Sequence, residues 1–193
     1  MKIDFYYDLR SPYAYFAWSR RNILSNAGFI MCMRPVSISI LLNLQAGREP
    51  WADYVDPLCA AKRAHLMADI PRMASYWNIP LNWPPSFKPQ STRAMSLAIA
   101  LYSAGKDQEK LVDAAFKLLW VEQRDLEASD TFSKLLEIAD MQAFDEERVR
   151  NDLTENSVQA FDAGVFGVPT FKLNGQAYFG ADRMEVIAKE IDG

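Results

Sequence analysis

The sequence predicts an α/β fold in which a large all-helical insertion interrupts a small core that contains a β-sheet. Three observations carry this prediction. A β-α-β pattern opens the chain, a β-β-α pattern closes it, and helical periodicity fills the roughly 120 residues between them. We therefore expect residues 1–38 and 165–193 to form one domain and residues 39–164 to form the inserted helical domain.

The opening unit is predicted from its composition and its helix-start signals. Residues 3–7 are aromatic and favour a strand, and residues 29–33 form a second apolar run that ends before a proline. Between them, Ser11 is a typical N-cap, Pro12 suits the first helical position, and Gly28 suits the helix end. A right-handed crossover through this helix makes the two strands parallel.

The insertion is predicted from apolar residues that recur at helical spacing. Residues 58–77 favour a helix with a break at Pro71, and residues 94–102 favour a largely apolar central helix. Between them, the proline-rich residues 80–89 predict an extended loop. Further stripes of apolar residues predict helices up to Gly164.

The closing unit begins with a hairpin. Residues 170–173 and 176–179 favour strands, and the Asn174-Gly175 pair between them is a strong signal for a tight turn. Asp182 and Glu185 have the spacing of a capping pair for a last helix.

Charge and hydropathy exclude two classes of partner. The chain of 193 residues has 21 basic and 25 acidic side chains, and its net charge is −4. An acidic chain without a basic stripe predicts no nucleic-acid binding. No stretch of about 18 apolar residues is present, so we expect no membrane association.

Cysteine usage indicates the expected compartment. Cys32 and Cys59 lie far apart, and with a single histidine they offer no metal site. Asp4 and Asp8 near the first residue argue against a signal peptide. Free thiols without an export signal predict a cytoplasmic protein.

Two segments are candidates for chemistry. Ser11 stands where a helix N-terminus favours an anion such as a thiolate, although a serine there often only caps its helix. Val168-Pro169 precedes a strand, which makes this peptide bond a candidate for the cis form.

Together these segments resemble the thioredoxin superfamily, in which the turn reads C-P-x-C and the late proline is cis. The large helical insertion resembles the DsbA-type branch. Here Ser11 and Ala14 occupy both cysteine positions of the turn, so a dithiol redox site is absent.

Further motifs narrow the resemblance and occur in order along the chain. They are Asp8-x-x-Ser11-Pro12-Tyr13-Ala14-Tyr15, Arg34-Pro35-Val36, Ala61-Lys62-Arg63, Trp120-Val121-Glu122, Arg124-Asp125, residues 164–171 (GVFGVPTF) and residues 179–184 (FGADRM). This set resembles the 2-hydroxychromene-2-carboxylate isomerase family, whose members are relatives of the kappa-class glutathione transferases. The resemblance covers essentially the whole chain.

The resemblance implies glutathione as the cofactor and assigns its contacts. Ser11 would bind the glutathione sulfur, and Val168, with cis Pro169, would pair with the cysteinyl backbone. The γ-glutamyl end would lie on Phe179, Gly180, Ala181 and Asp182, with Arg183 beside them. For Asp182, a simple helix-capping role is the alternative.

The resemblance also implies a small aromatic substrate and a homodimer. Lys62 and Pro84 match substrate-facing positions, although Lys62 could equally be a solvated lysine. The family's usual lysine near Leu44, its asparagine at Arg48, and its proline and asparagine at Lys88 and Gln90 are replaced. These replaced residues lie in the part of the insertion that is expected to face the substrate, so the exact substrate stays open.

Three functions follow as alternatives. The first is a glutathione-dependent isomerase of 2-hydroxychromene-2-carboxylate or a related acid, the second is a kappa-like transferase or peroxidase, and the third is a noncatalytic thioredoxin-like binding module. Isomerisation regenerates glutathione, conjugation consumes it, and a module of the third kind need not bind it.

Overall fold

The structure is a computed structural model that describes residues 1–53, 55, 58–84, 86, 89–141 and 144–190. Its described strands form one mixed sheet in the order β2-β1-β3-β4. The strands are β1 Lys2–Tyr7, β2 Ile30–Pro35, β3 Thr170–Leu173 and β4 Gln176–Phe179. β1 and β2 are parallel, β3 is antiparallel to β1, and β4 is antiparallel to β3. The predicted β-α-β unit and the Asn-Gly hairpin are therefore confirmed.

β1 lies at the centre because its alternating side chains face the core. Ile3, Phe5 and Tyr7 are completely buried, and the Phe5 ring stacks on Phe171 of β3 at 5.2 Å between centroids. β2 is an edge strand, so it tolerates Pro35 as its last residue. It therefore runs two residues beyond the predicted 29–33.

The single helix predicted up to Gly28 is in fact two helices, α1 Pro12–Ser19 and α2 Asn22–Asn26. The first ends at Arg20, which leaves the helical conformation. The Arg20 guanidinium donates to the Ala181 carbonyl and lies 4.0 Å from the Trp77 ring. These long-range contacts occupy the residue at which the helix is interrupted.

The insertion contains six described helices, which confirms its helical character. They are α3 Ile38–Gln45, α4 Ala60–Tyr76, α5 Thr92–Ser103, α6 Glu109–Trp120, α7 Ser129–Ile138 and α8 Glu146–Asp162. The predicted break at Pro71 is wrong, because α4 continues through it. Pro71 is exposed, whereas Ile70 and Ala74 are buried and hold the helix against the core.

The last helix begins later than the capping pair predicts. A 3-10 turn, Ala181–Arg183, precedes α9 Met184–Lys189, and no side chain caps α9. Asp182 pairs with Arg183, and Glu185 pairs with Arg20. The predicted capping pair is therefore wrong, because both carboxylates bind arginines instead.

One cluster of buried side chains includes residues of the sheet and of the insertion helices. The Trp120 indole N–H donates to the Leu9 carbonyl at 3.0 Å, and the Tyr7 hydroxyl donates to Gln108 at 2.7 Å. The division into domains 1–38 with 165–193 and 39–164 stays a prediction. In the described part of the chain, no helix is long and apolar enough to cross a membrane.

Candidate functional site

Ser11 is an N-cap with a second contact across the molecule. Its Oγ accepts from the Ala14 N–H at 3.2 Å, and Pro12 is the first residue of α1. The same hydroxyl donates to the Val168 carbonyl at 3.3 Å. Capping is therefore part of its role, while the bond to Val168 joins two segments 157 residues apart.

The second segment is the loop that leads into β3. The Val168–Pro169 peptide bond is cis, as predicted, and it lies opposite the Ser11 turn. The Pro169 carbonyl accepts from the Gly180 N–H at 3.0 Å. This bond brings the start of the 179–183 segment to the same place, so three predicted site segments meet.

Asp8 holds the Ser11 turn in place through a buried carboxylate. It is 2% exposed and accepts from the Arg10 N–H at 3.0 Å, the Ile38 N–H at 3.0 Å and the Ser91 hydroxyl at 2.8 Å. These donors belong to the turn, to the start of α3 and to the residue before α5. Asp8 therefore joins the thioredoxin-like core to the insertion.

Sequence reasoning placed Asp8 in a motif without giving it this role. The available signal was an acidic residue directly after a buried strand and three residues before a helix N-cap. Such a carboxylate is suited to backbone donors at neighbouring helix starts.

Phe166 is a second residue that sequence reasoning missed. Its ring lies 4.7 Å from that of Phe179, and the two rings are 48% and 47% exposed. Gly167 makes this pair possible, because a Cβ there would come within 2.8 Å of the Phe179 ring. The two phenylalanines form an exposed apolar surface next to Val168.

Residues 180–183 present one ion pair to solvent. Gly180 has a φ of +112°, which permits the turn after β4, and Ala181 is buried. The Arg183 guanidinium donates to the Asp182 carboxylate at 2.8 Å, and both side chains are about half exposed. Such a pair contributes about 0–1 kcal/mol, so a charged ligand can replace either partner at low cost.

The two residues assigned to the substrate belong to α4 and to the segment before α5. Lys62 is exposed in the first turn of α4, and Pro84 is buried in the segment before α5. Among the described residues, no hydrogen bond or ion pair links either of them to Ser11. Lys88, one of the departures from the family pattern, lies outside the described residues.

Tyr13 connects the Ser11 turn to α4. Its hydroxyl donates to Asp69 at 2.7 Å. Burial is the main reason that the pKa of Tyr13 lies well above its ordinary value, and the hydrogen bond to Asp69 raises the pKa further. Tyr13 therefore stays neutral at physiological pH and serves as a donor that positions α4.

The described part of the chain contains no candidate metal site. No group of three or more histidine, cysteine or acidic side chains is arranged there to hold an ion. The candidate site is instead a hydroxyl, a backbone edge, an exposed ion pair and two aromatic rings.

A family model described as a DSBA-like thioredoxin domain matches residues 2–192. The chain is 25% identical over 209 residues to glutathione S-transferase kappa 1 of Caenorhabditis elegans. This alignment covers 97% of the chain and 89% of the relative. It is 27% identical over 199 residues to 2-hydroxychromene-2-carboxylate isomerase of Sphingobium xenophagum. That alignment covers 96% of the chain and 95% of the relative.

Solved structures share the fold. A 2-hydroxychromene-2-carboxylate isomerase superposes with a TM-score of 0.72 at 22% identity, covering 100% of this chain and 95% of the other. The cytosolic disulfide reductase DsbM of Pseudomonas aeruginosa superposes with a TM-score of 0.62 at 12% identity. The superposition covers 99% of this chain and 98% of DsbM. The predicted thioredoxin-like fold of DsbA type is confirmed.

We predict that Asp8→Asn destabilises the fold. An amide cannot accept at both positions, so at least one buried donor loses its partner and the unfolding free energy falls by about 3 kcal/mol. Urea denaturation measures this change. The exposed Asp162→Asn is the matched control and should change the unfolding free energy by less than about 0.5 kcal/mol. Equal stability of both variants would contradict the role given to Asp8.

Proposed function

The chain belongs to the DSBA-like thioredoxin domain family, and on that premise we propose that it is a glutathione-dependent isomerase. Its substrate is 2-hydroxychromene-2-carboxylate or a related aromatic hydroxy or oxo acid. The observation that carries the proposal is the Ser11 hydroxyl, held at a helix N-terminus against the carbonyl before cis Pro169. Similarity to an isomerase and to a kappa-class transferase over nearly the whole chain supports it.

The thiol for this chemistry has to come from outside the Ser11 turn. Ser11 and Ala14 stand at both positions of the dithiol motif, while Cys32 lies in β2 and Cys59 lies at the start of α4. Both cysteines are free. A bound tripeptide thiol supplies what the turn lacks, and the residues around the turn match its functional groups.

Ser11 favours the thiolate form of that thiol. A hydroxyl donor and the positive end of a helix dipole both stabilise an anion, and both lower the pKa of a neighbouring thiol. Rotation of the hydroxyl away from Val168 directs its hydrogen to the sulfur. The same rotation frees the Val168 carbonyl to accept from an extended peptide backbone.

The half-exposed ion pair fits the γ-glutamyl end. Asp182 can accept from its ammonium group, and Arg183 can donate to its carboxylate. The exposed rings of Phe166 and Phe179 contact each other and offer a bound peptide an apolar surface close in sequence to Val168. Binding therefore uses the chain's own charge and apolar surface.

Glutathione held by Ser11, Val168, Asp182 and Arg183 would supply a thiolate that can act as both nucleophile and leaving group in cis–trans isomerisation about a conjugated double bond. Ser11 holds the sulfur as an anion before addition and after elimination. Asp8 and the buried network around it keep the Ser11 turn rigid during both steps.

A kappa-like transferase or peroxidase is the second candidate, and the C. elegans relative favours it. The two enzymes differ in glutathione balance, since conjugation consumes glutathione and isomerisation does not. Thiol titration alongside product formation separates them. A protein that neither binds glutathione nor turns over either substrate would instead be a binding module.

We predict that Ser11→Ala slows glutathione-dependent isomerisation by about 10²–10³-fold, because one donor to an anion is lost. The loss should shrink as pH rises over about pH 6–9, since free thiolate becomes more abundant. Initial rates with 2-hydroxychromene-2-carboxylate measure both effects.

Ser37→Ala is the matched control. Ser37 caps α3 as Ser11 caps α1. Among the described residues, its Oγ has one partner, the Ile40 N–H at 3.5 Å, and makes no bond across the molecule. Both variants should lose about 1 kcal/mol of stability, and only Ser11→Ala should lose rate. A folded Ser11→Ala protein with wild-type rates at every pH would show that Ser11 acts only as a helix cap.

We also predict that Asp182→Asn weakens glutathione binding about fivefold, as expected for one exposed charge pair. Cysteinylglycine, which lacks the γ-glutamyl group, should bind both proteins equally. Calorimetric titration measures the four dissociation constants. An equal loss for both ligands would show that Asp182 acts on the fold and not on the γ-glutamyl end.

A further inference from the structure

One pocket lies between helices of the insertion. Its volume is about 670 Å³, which is within the range of small-molecule sites. The described residues that line it are Trp51, Thr92, Arg93, Ser96, Phe132, Phe144, Glu147, Arg150 and Leu153. None of them belongs to the proposed glutathione site.

The pocket contains two arginines, and each one is stacked on an aromatic ring. The Arg93 guanidinium lies 4.0 Å from the centre of Phe132, and that of Arg150 lies 4.4 Å from the centre of Trp51. Arg93 also donates to the Glu127 carbonyl at 3.0 Å, which fixes its direction. Within the described residues, the guanidinium of Arg150 has no hydrogen bond or ion pair.

The tryptophan is held in position from both sides. Its indole N–H donates to Thr154 of α8 at 2.8 Å. The side-chain amide of Asn43, which is 2% exposed, donates to the carbonyls of Pro50 and Ala52 at 3.0 and 2.8 Å. A buried side chain therefore clamps both neighbours of Trp51, although the tryptophan itself is 41% exposed.

We propose that this pocket binds a planar aromatic carboxylate. Guanidinium groups fixed by ring stacking can bind a carboxylate through two parallel hydrogen bonds. The lining contains two arginines and one glutamate, so its net charge is positive. Trp51, Phe132, Phe144 and Leu153 supply aromatic and apolar walls, which favour a ligand with an aromatic body over a free inorganic anion.

The pocket adjoins the Ser11 turn. Trp51, Thr92 and Leu153 line a smaller pocket of about 50 Å³ that includes Asp8 and Arg10. A ligand in the large pocket therefore lies beside the turn without occupying the position of the Ser11 hydroxyl. The inference does not depend on the proposed function, since binding needs no glutathione.

Calorimetry with 2-naphthoate on the full chain tests the proposal. Arg150→Gln should weaken binding at least about tenfold. The affinity of Arg150→Lys should lie between those of the wild type and Arg150→Gln, because lysine keeps the charge and loses the planar guanidinium. Arg148→Gln, an exposed arginine on the same helix that does not line the pocket, should bind like the wild type. The neutral 2-naphthamide should bind weakly and should not respond to Arg150→Gln.

Two further measurements locate the ligand. Trp51→Phe should remove most of the fluorescence quenching by 2-naphthoate, while saturating glutathione should leave the naphthoate affinity unchanged. Absent binding at millimolar 2-naphthoate, or equal binding to the wild type and Arg150→Gln, would overturn the proposal. Competition with glutathione that disappears in Ser11→Ala would place the ligand at the turn and would also overturn it.

Discussion

The buried carboxylate of Asp8 is the contact on which the arrangement of the site depends. It accepts hydrogen bonds from the Ser11 turn, from the start of α3 and from Ser91 before α5. A buried carboxylate is stable only when such donors surround it, so Asp8 holds the three segments together. The turn thereby gains a fixed position between the sheet and the helical insertion.

Ser11 makes two hydrogen bonds that can change independently of each other. Its oxygen accepts from the first turn of α1, and its hydrogen is directed to Val168. Only the second interaction has to change for an anion to bind, so the cap can stay intact while the donor turns. Under the proposed function, this division would let a serine replace the first cysteine of a thioredoxin-like turn and direct a thiol supplied from outside.

The resemblance to the thioredoxin superfamily implies that Val168-Pro169 lies opposite Ser11. The strands, the Asn174-Gly175 hairpin and the N-cap at Ser11 are predicted from local signals in the sequence. Features set by distant contacts could not be predicted from them. The interruption at Arg20 accompanies contacts with Ala181 and Trp77, and α4 passes through Pro71 because the neighbouring Ile70 and Ala74 are buried. Asp182 has a capping spacing, yet it pairs with Arg183. The pocket arginines likewise stack on rings that lie far from them in the sequence.

The proposed function requires that glutathione bind as a thiolate at Ser11. Ultraviolet absorbance of the thiolate, recorded against pH on the complex, tests it most directly. The account predicts that the thiol pKa of bound glutathione lies at least about one unit below the ordinary thiol value of about 8.5, and that Ser11→Ala returns it towards that value. Bound glutathione that titrates like free glutathione, in the wild type and in the variant alike, would contradict the account.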